Sequence, residues 1–221
     1  MSCITLGPLP QAIAPPLLSR LLQAEPATIG HFRDDGFMDP GVRAIAGAAR
    51  RAGTAVTVRC DGLDGSILHH ALGQLRPGDV LVVDRGGDAA IACIGGASAL
   101  AAALRGAAGI VVDGLVTDLQ ELREAGIAVW ARGLAARTTR AIGRSGSFCA
   151  PVQCGGVTVH AGDAILADEN GVLVLPPADI AEATHRALEL QRREIDTLAR
   201  LRRGEPYPQI LGTVLHHGQG A

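Results

Sequence analysis

The stretch GIVVDGLVTDLQEL, Gly109 to Leu122, places an apolar run, an Asp-Gly pair and a second acid in one short segment. Ile110, Val111 and Val112 are β-branched residues of the kind that fill a buried strand. Asp113-Gly114 reads as the end of that strand, and a helix is expected from about Asp118 to Ala125. Two readings of Asp118 follow. In the first, Thr117 and Gln120 form a capping box, and Asp118 is an acid in the first helical turn, favoured by the helix dipole by about 0.3–1 kcal/mol. In the second, Asp118 stands at the end of the strand to bind a cation.

Outward from this segment the chain alternates strand and helix. Upstream, ASALAAALRG predicts an alanine-rich helix that stops at Gly106, the residue favoured just past a helix end. Before it, AAIACI and RPGDVLVVD (Arg76 to Asp84) read as strands, SILHHALGQL as a helix and TAVTVRC (Thr54 to Cys60) as a strand. Downstream, IAVWARG is a further strand. Such alternation predicts βαβ units with part of the sheet parallel. After Thr138 the pattern changes to short apolar runs separated by Gly-Gly, Gly-Asp and Asn-Gly, which are hairpin signals for antiparallel or mixed β structure. A helix opened by proline is expected from about Pro15 to Ala24. A long polar helix is expected from Pro177 to about Arg203, with Ile180, Ala183, Ala187, Leu188 and Leu190 on its docking face. No internal repeat or low-complexity linker divides residues 1–221, so a single domain is expected.

Composition limits the function. Of 221 residues 48% are hydrophobic and only 2% aromatic, so the core is built from Ala, Val, Leu and Ile. A formal charge of −2, with acids and bases mixed, argues against direct nucleic-acid binding. The cluster RLRRGEP reads as a solvated helix end. The five cysteines form no Cys-x-x-Cys pair, so most of them read as small buried hydrophobes rather than a zinc site. No run is long enough for a membrane-spanning helix, and MSCITLGPLP lacks the charged region and apolar core of a secretory signal. A cytoplasmic protein without membrane contact is the expectation.

The segment IGGAS, Ile94 to Ser98, is a second candidate for chemistry. A glycine pair opening a helix presents unpaired N–H groups and a positive dipole end, a seat for a carboxylate or phosphate. It is neither a Walker loop nor a dinucleotide fingerprint. Both IGGAS and Asp118 fall at strand C-termini, where open α/β sheets place ligands. One carboxylate with several waters suits Mg²⁺, and such an ion accepts an α-keto acid through its keto and carboxylate oxygens.

These segments carry a resemblance. GTAVTVR, PGDVLVVD, the interval from GGAS to VVDGLVTD, and GGVTVHAGDAILADENGVLVLPP are similar to the family of the regulator of ribonuclease E activity A (RraA-like proteins), which includes 4-hydroxy-4-methyl-2-oxoglutarate aldolases. The resemblance runs from about Ala27 to Pro177. It implies an α/β fold of the swivelling β/β/α type with a mixed sheet, helical N- and C-terminal extensions (the latter about 177–203), and assembly as a homotrimer or hexamer. It assigns substrate binding to Gly95, Gly96, Ala97, Ser98 and Thr117, and the divalent cation, Mg²⁺ or Mn²⁺, to Asp118. Asp113, counted among the catalytic residues, would shape the site or hold a metal-bound water, and a water on the metal or one held by Asp113 would shuttle the proton.

One departure stands out. The family's aldolases have arginine immediately before the metal-binding acid, where this chain has Thr117. The positions around the glycine loop, often tryptophan and an acid, are Ile94 and Gly96 here. A guanidinium binds a carboxylate through two parallel hydrogen bonds, which one hydroxyl cannot reproduce. Arg85 is the first candidate for a replacement catalytic cation, followed by Arg137 and Arg140. His69 and His70 are adjacent in a helical segment and diverge, so both cannot face one ion. Glu189 or Glu194 would reach a neighbouring site if the last helix crosses the ring.

The resemblance therefore implies a metal-dependent (class II) aldolase or oxo-acid lyase. It would cleave small α-keto acids of the 4-hydroxy-4-methyl-2-oxoglutarate type to release pyruvate, with oxaloacetate decarboxylation as a side activity. The alternative is a non-catalytic RraA-like regulator that binds a ribonuclease or another protein. A menaquinone methyltransferase label, also attached to the family, lacks an S-adenosylmethionine loop after the first strand.

Overall fold

The runs TAVTV, VLVVD and GIVVD pair as neighbouring parallel strands. Each is covered on both faces, so none needs a polar alternation. In the computed structural model, which describes residues 3–47 and 49–213, the strands are β1 (Cys3–Leu6), β2 (Arg43–Ala46), β3 (Arg51–Arg59), β4 (Asp79–Asp84), β5 (Ala92–Ile94) and β6 (Gly109–Val116). They continue as β7 (Ala128–Leu134), β8 (Ser145–Phe148), β9 (Val152–Cys154), β10 (Val157–Val159), β11 (Ala164–Asp168) and β12 (Gly171–Leu175). The helices are α1 (Pro15–Leu21), α2 (Pro26–Ile29), α3 (Ser66–Gln74), α4 (Gly96–Leu104), α5 (Leu119–Glu124), α6 (Ile180–Arg202) and α7 (Tyr207–Leu211).

One mixed sheet of ten strands runs β1-β8-β3-β4-β6-β7-β2, with β11 and β12 added beside β3 and β5 beside β6. β3, β4, β6 and β7 are parallel, and β11–β12 and β9–β10 are the expected antiparallel hairpins. The fold is the mixed α/β single domain expected, with β1 at the N-terminal edge as well as helix. α4 ends as read: Gly106, at φ 74°, donates to Ala103 and Ala107 donates to Ala102.

The GIVVD segment departs from expectation. β6 does not stop at Asp113-Gly114 but runs on to Val116. Its register against β7 shifts between Val112 and Leu115, after which Leu115 and Val116 pair with β5 on the other side. Within the irregular stretch position 114 must be glycine, since a Cβ there would collide with the Arg85 stem. This extension carries the chain to the start of α5 beside the end of β5.

Alternate residues of the central strands feed two cores. Val56, Leu81, Val83, Ile110 and Val112 face α3, α4 and α5, while Ala55, Val80, Val82 and Val111 face the β9–β12 side. A third core lies under α1, α2 and the first half of α6, where Ile180, Ala183 and Ala187 are buried as expected. Leu188 and Leu190 are only partly buried. Among the described residues, no helix is long and apolar enough to cross a membrane.

Trp130, the chain's only tryptophan, is buried in the second core; its indole N–H donates to the Asp168 carbonyl at 2.8 Å. Trp130→Ala should lower stability by about 3–5 kcal/mol, measured by circular dichroism during urea unfolding.

Candidate functional site

A small cavity of about 200 Å³ opens where β5 and β6 end. Its walls come from Cys93 to Gly95 at the end of β5, Ala97 and Ser98 in the first turn of α4, Thr117 and Asp118 after β6, His69 on α3, and Thr138 and Thr139. Gly95, Ala97, Ser98, Thr117 and Asp118 are thus brought together as the sequence suggested.

Asp118 has φ 56° and ψ 51°, the left-handed region. Among the described non-glycine residues only Cys149 shares a positive φ. Aspartate tolerates this conformation better than most residues, but it still costs roughly 1–2 kcal/mol. The twist turns the carboxylate back onto the glycine loop. Oδ2 accepts the Gly96 N–H at 3.1 Å, and Oδ1 accepts the Thr117 hydroxyl at 3.1 Å. The capping box is not formed: α5 starts at Leu119, the Thr117 hydroxyl serves Asp118, and the Gln120 amide donates to Glu124. Asp118 has only one hydrogen bond on each oxygen, so lone pairs remain for another ligand.

The two glycines are needed for this packing. A Cβ on Gly95 would collide with Asp118 Oδ2, and one on Gly96 would collide with the Glu121 Cβ. Glycine therefore lets the starts of α4 and α5 close on one another, rather than only admitting a ligand. Gly96 donates its N–H to Asp118, and it borders an adjacent cavity with Ala97 and Asp118 rather than this one. The first turn of α4 has no side-chain cap, so Ala97 and Ser98 present backbone N–H groups at a positive helix end.

Two other expected residues lie elsewhere. Asp113 is on the opposite sheet face, where one carboxylate oxygen accepts the Arg132 guanidinium and the other accepts the Gly155 N–H at 2.8 Å. Arg132 also reaches Asp39 at 2.9 Å. Strand alternation separates Asp113 from a site that the extended β6 places beyond it. Arg85 is enclosed: its Nη atoms donate to the Cys60 and Gly62 carbonyls and to Asp88 Oδ2 at 2.6–3.0 Å, and its side chain is fully buried. It holds the loop after β3 and does not line the cavity. Arg137 and Arg140 are exposed, and neither lines it.

The strap at residues 137–145 was not legible as part of the site. Thr139 donates its N–H to Ala92, Ala92 donates to Arg137, Gly65 donates to Arg140, and Arg140 donates to Leu63. Buried Asp64 secures it, accepting backbone N–H groups from Ser66, Ile142, Gly143, Arg144 and Ser145 at 2.6–3.3 Å. Burial alone would raise the Asp64 pKa, but the Arg144, Ser66 and Ser145 donors overcome it and hold the carboxyl well below the usual range. His69 lines the cavity, whereas His70 packs edge-on against Phe148 with ring centroids 4.9 Å apart. The adjacent pair does diverge.

The profile of the RraA-like family, described as Aldolase/RraA, matches residues 27–174. The chain belongs to the RraA-like family. A Burkholderia mallei protein named "Putative 4-hydroxy-4-methyl-2-oxoglutarate aldolase" is 41% identical over 138 residues, covering 62% of this chain and 82% of that one. The RNA-processing inhibitor RraA from Thermus thermophilis is 35% identical, with a TM-score of 0.63 over 69% of this chain and 93% of that one. An uncharacterized protein from Pseudomonas syringae shares the fold more fully, with a TM-score of 0.80 over 94% and 99% of the two chains at 23% identity. Both the aldolase name and the regulator name thus occur among relatives of this RraA-like chain.

Two outcomes test the geometry. Gly95 has an extended backbone that alanine can adopt, so Gly95→Ala should fold but displace Asp118. The expected signature is faster amide exchange at Gly96 and a stability loss of about 1–3 kcal/mol. For Asp64 the folded pKa lies below the unfolded one, so its stabilisation is present above the ordinary carboxylate pKa of about 4 and is lost as pH falls. Amide exchange at Arg144 and Ser145 should accelerate in acid, and Asp64→Asn should show that loosening already at neutral pH.

Proposed function

We propose that this RraA-like protein is a divalent-cation-dependent lyase for small α-keto acids, with the reaction centred between Asp118 and the first turn of α4. The observation that carries this reading is the left-handed Asp118, whose carboxylate borders the same small cavity as the Ala97 and Ser98 amides. Asp118 would hold Mg²⁺ or Mn²⁺ with waters completing the shell, a donor set that suits these ions. Among the described residues no cluster of three or more His, Cys, Asp or Glu competes for that role. When bound, the cation supplies Lewis-acid polarisation of the keto oxygen.

The other roles fall to the chain. The Ala97 and Ser98 N–H groups and the Ser98 hydroxyl hold the substrate carboxylate at the positive end of α4. Thr117 fixes Asp118 through its hydroxyl rather than gripping substrate. The sequence contains no lysine, all twenty of its basic residues being arginine. A lysine Schiff base, the metal-free route to cleaving such carbon–carbon bonds, has no side chain to form it. Assembly as a trimer or hexamer belongs to the same proposal.

A second reading, a protein-binding regulator, is favoured by one observation: no arginine lines the cavity where the family's aldolases have one. The test is pyruvate release from 4-hydroxy-4-methyl-2-oxoglutarate and from oxaloacetate in Mg²⁺ or Mn²⁺. Turnover is expected, is abolished by EDTA, and falls by roughly 100-fold or more in Asp118→Ala, the scale of removing a preorganised electrostatic group. Wild-type protein without turnover, together with capture of a ribonuclease, would favour the regulator.

A further inference from the structure

Cleaving a 4-hydroxy-2-oxo acid moves one proton, from the 4-hydroxyl to the carbon that becomes the pyruvate methyl. The lyase reading above, on which this inference rests, assigns that proton no side-chain carrier. Asp113 is excluded because both its oxygens are engaged on the other sheet face. Arg85 is enclosed and does not line the cavity. Three titratable side chains border the cavity: Asp118, Cys93 and His69. Asp118 is committed to the cation. Burial pushes the Cys93 thiol far up, so it stays protonated and cannot act as a base.

We propose that His69 is the catalytic proton carrier of this site. His69 lies on α3 and lines the cavity together with Ala97 and Ser98 of α4, so it borders the cavity from a different element than Asp118. Histidine is the side chain whose ordinary titration range suits proton exchange near neutral pH. In the cleavage direction a neutral imidazole nitrogen takes the proton from the 4-hydroxyl. The O–H electron pair becomes the new carbonyl π bond, the C3–C4 bond breaks, and its electrons form the C2–C3 double bond as the keto oxygen takes negative charge. The imidazolium then returns the same proton to C3, giving pyruvate and the second carbonyl compound with no net change at His69. The charged or titratable groups facing His69 are Asp118 and Cys93 across the cavity and Arg105 along the groove between α3 and α4, whose Nε donates to the Leu75 carbonyl.

The same chemistry exchanges the methyl protons of pyruvate with solvent, which separates proton transfer from bond cleavage. Deuterium uptake into pyruvate would be followed by proton NMR in D₂O with Mg²⁺, beside calorimetric binding of oxalate with Mg²⁺. Wild type, His69→Gln, His70→Gln and Asp118→Ala would be compared. His69→Gln should slow exchange by roughly 100-fold or more, keep its oxalate affinity and recover part of the rate on addition of imidazole. His70→Gln should behave as wild type, because that ring packs on Phe148. Asp118→Ala should lose both exchange and oxalate binding. Normal exchange by His69→Gln would overturn the assignment. So would wild-type protein that binds oxalate through Asp118 yet exchanges nothing. Loss of oxalate binding by the wild type itself would overturn the lyase reading, and the role of His69 with it.

Discussion

The hydrogen bond from the Gly96 N–H to Asp118 Oδ2 joins the starts of two helices that the sequence keeps 22 residues apart. It forms only because Asp118 adopts a left-handed backbone and because Gly95 and Gly96 leave no Cβ in the way. The conformational cost at Asp118 is recovered locally, through the Gly96 amide and the Thr117 hydroxyl. The cavity exists because of that arrangement: an extended β6 brings Thr117 and Asp118 beside the end of β5, and α4 begins there with uncapped amides. Strain of this sort at the mouth of a ligand-sized cavity is where function commonly concentrates.

The electrostatics of the cavity are sparse. Among the described residues its lining has one carboxylate, one helix N-terminus, one imidazole, the Cys93 thiol and several hydroxyls, but no guanidinium. An anionic substrate would gain less binding energy here than in a site with an arginine fork. A cation on Asp118 would have to supply most of the compensating charge. The ion pairs nearby do other things. Asp113 with Arg132 and Asp39 ties β6 to β7 and the Asp39 turn, and Arg85 fastens the loop after β3 beneath the helices. Asp113 and Arg132 lie within β6 and β7 and Arg85 just after β4; the Asp113 oxygens and the Arg85 Nη atoms are taken by protein partners, while the buried Arg85 Nε has none.

Much of the fold could be read from local signals. The parallel strands were visible as continuous apolar runs, the end of α4 in Gly106, and the two hairpins in their Gly-Gly and Asn-Gly turns. The failures share one physical origin, in that each involved a contact between segments distant in sequence. Asp113-Gly114 looked like a strand end because the β5 partner that prolongs β6 is not evident from the residues around it. Thr117 and Gln120 had the spacing of a capping box, but the Gly96 amide recruited Asp118 and reoriented the turn. Arg85 followed a strand as a site cation would, yet the carbonyls of Cys60 and Gly62 turned it inward. Thr138 and Thr139 carried no local signal, since the bonds of Ala92 and Asp64 to the strap place them.

The absence of lysine gives Thr117 a different weight. A Schiff-base aldolase could tolerate losing an arginine, because covalent attachment would still supply an electron sink. In the proposed lyase there would be no such reserve, and polarisation of the keto group would fall to whatever Asp118 binds. The hydroxyl of Thr117 is spent on Asp118 Oδ1, where it fixes the orientation of the one available carboxylate. Under the proposed lyase reading, threonine would exchange a direct grip on the substrate for a fixed orientation of the Asp118 carboxylate. That trade would favour a compact substrate bound chiefly through a cation and the α4 amides over a longer diacid that needs a second cationic anchor.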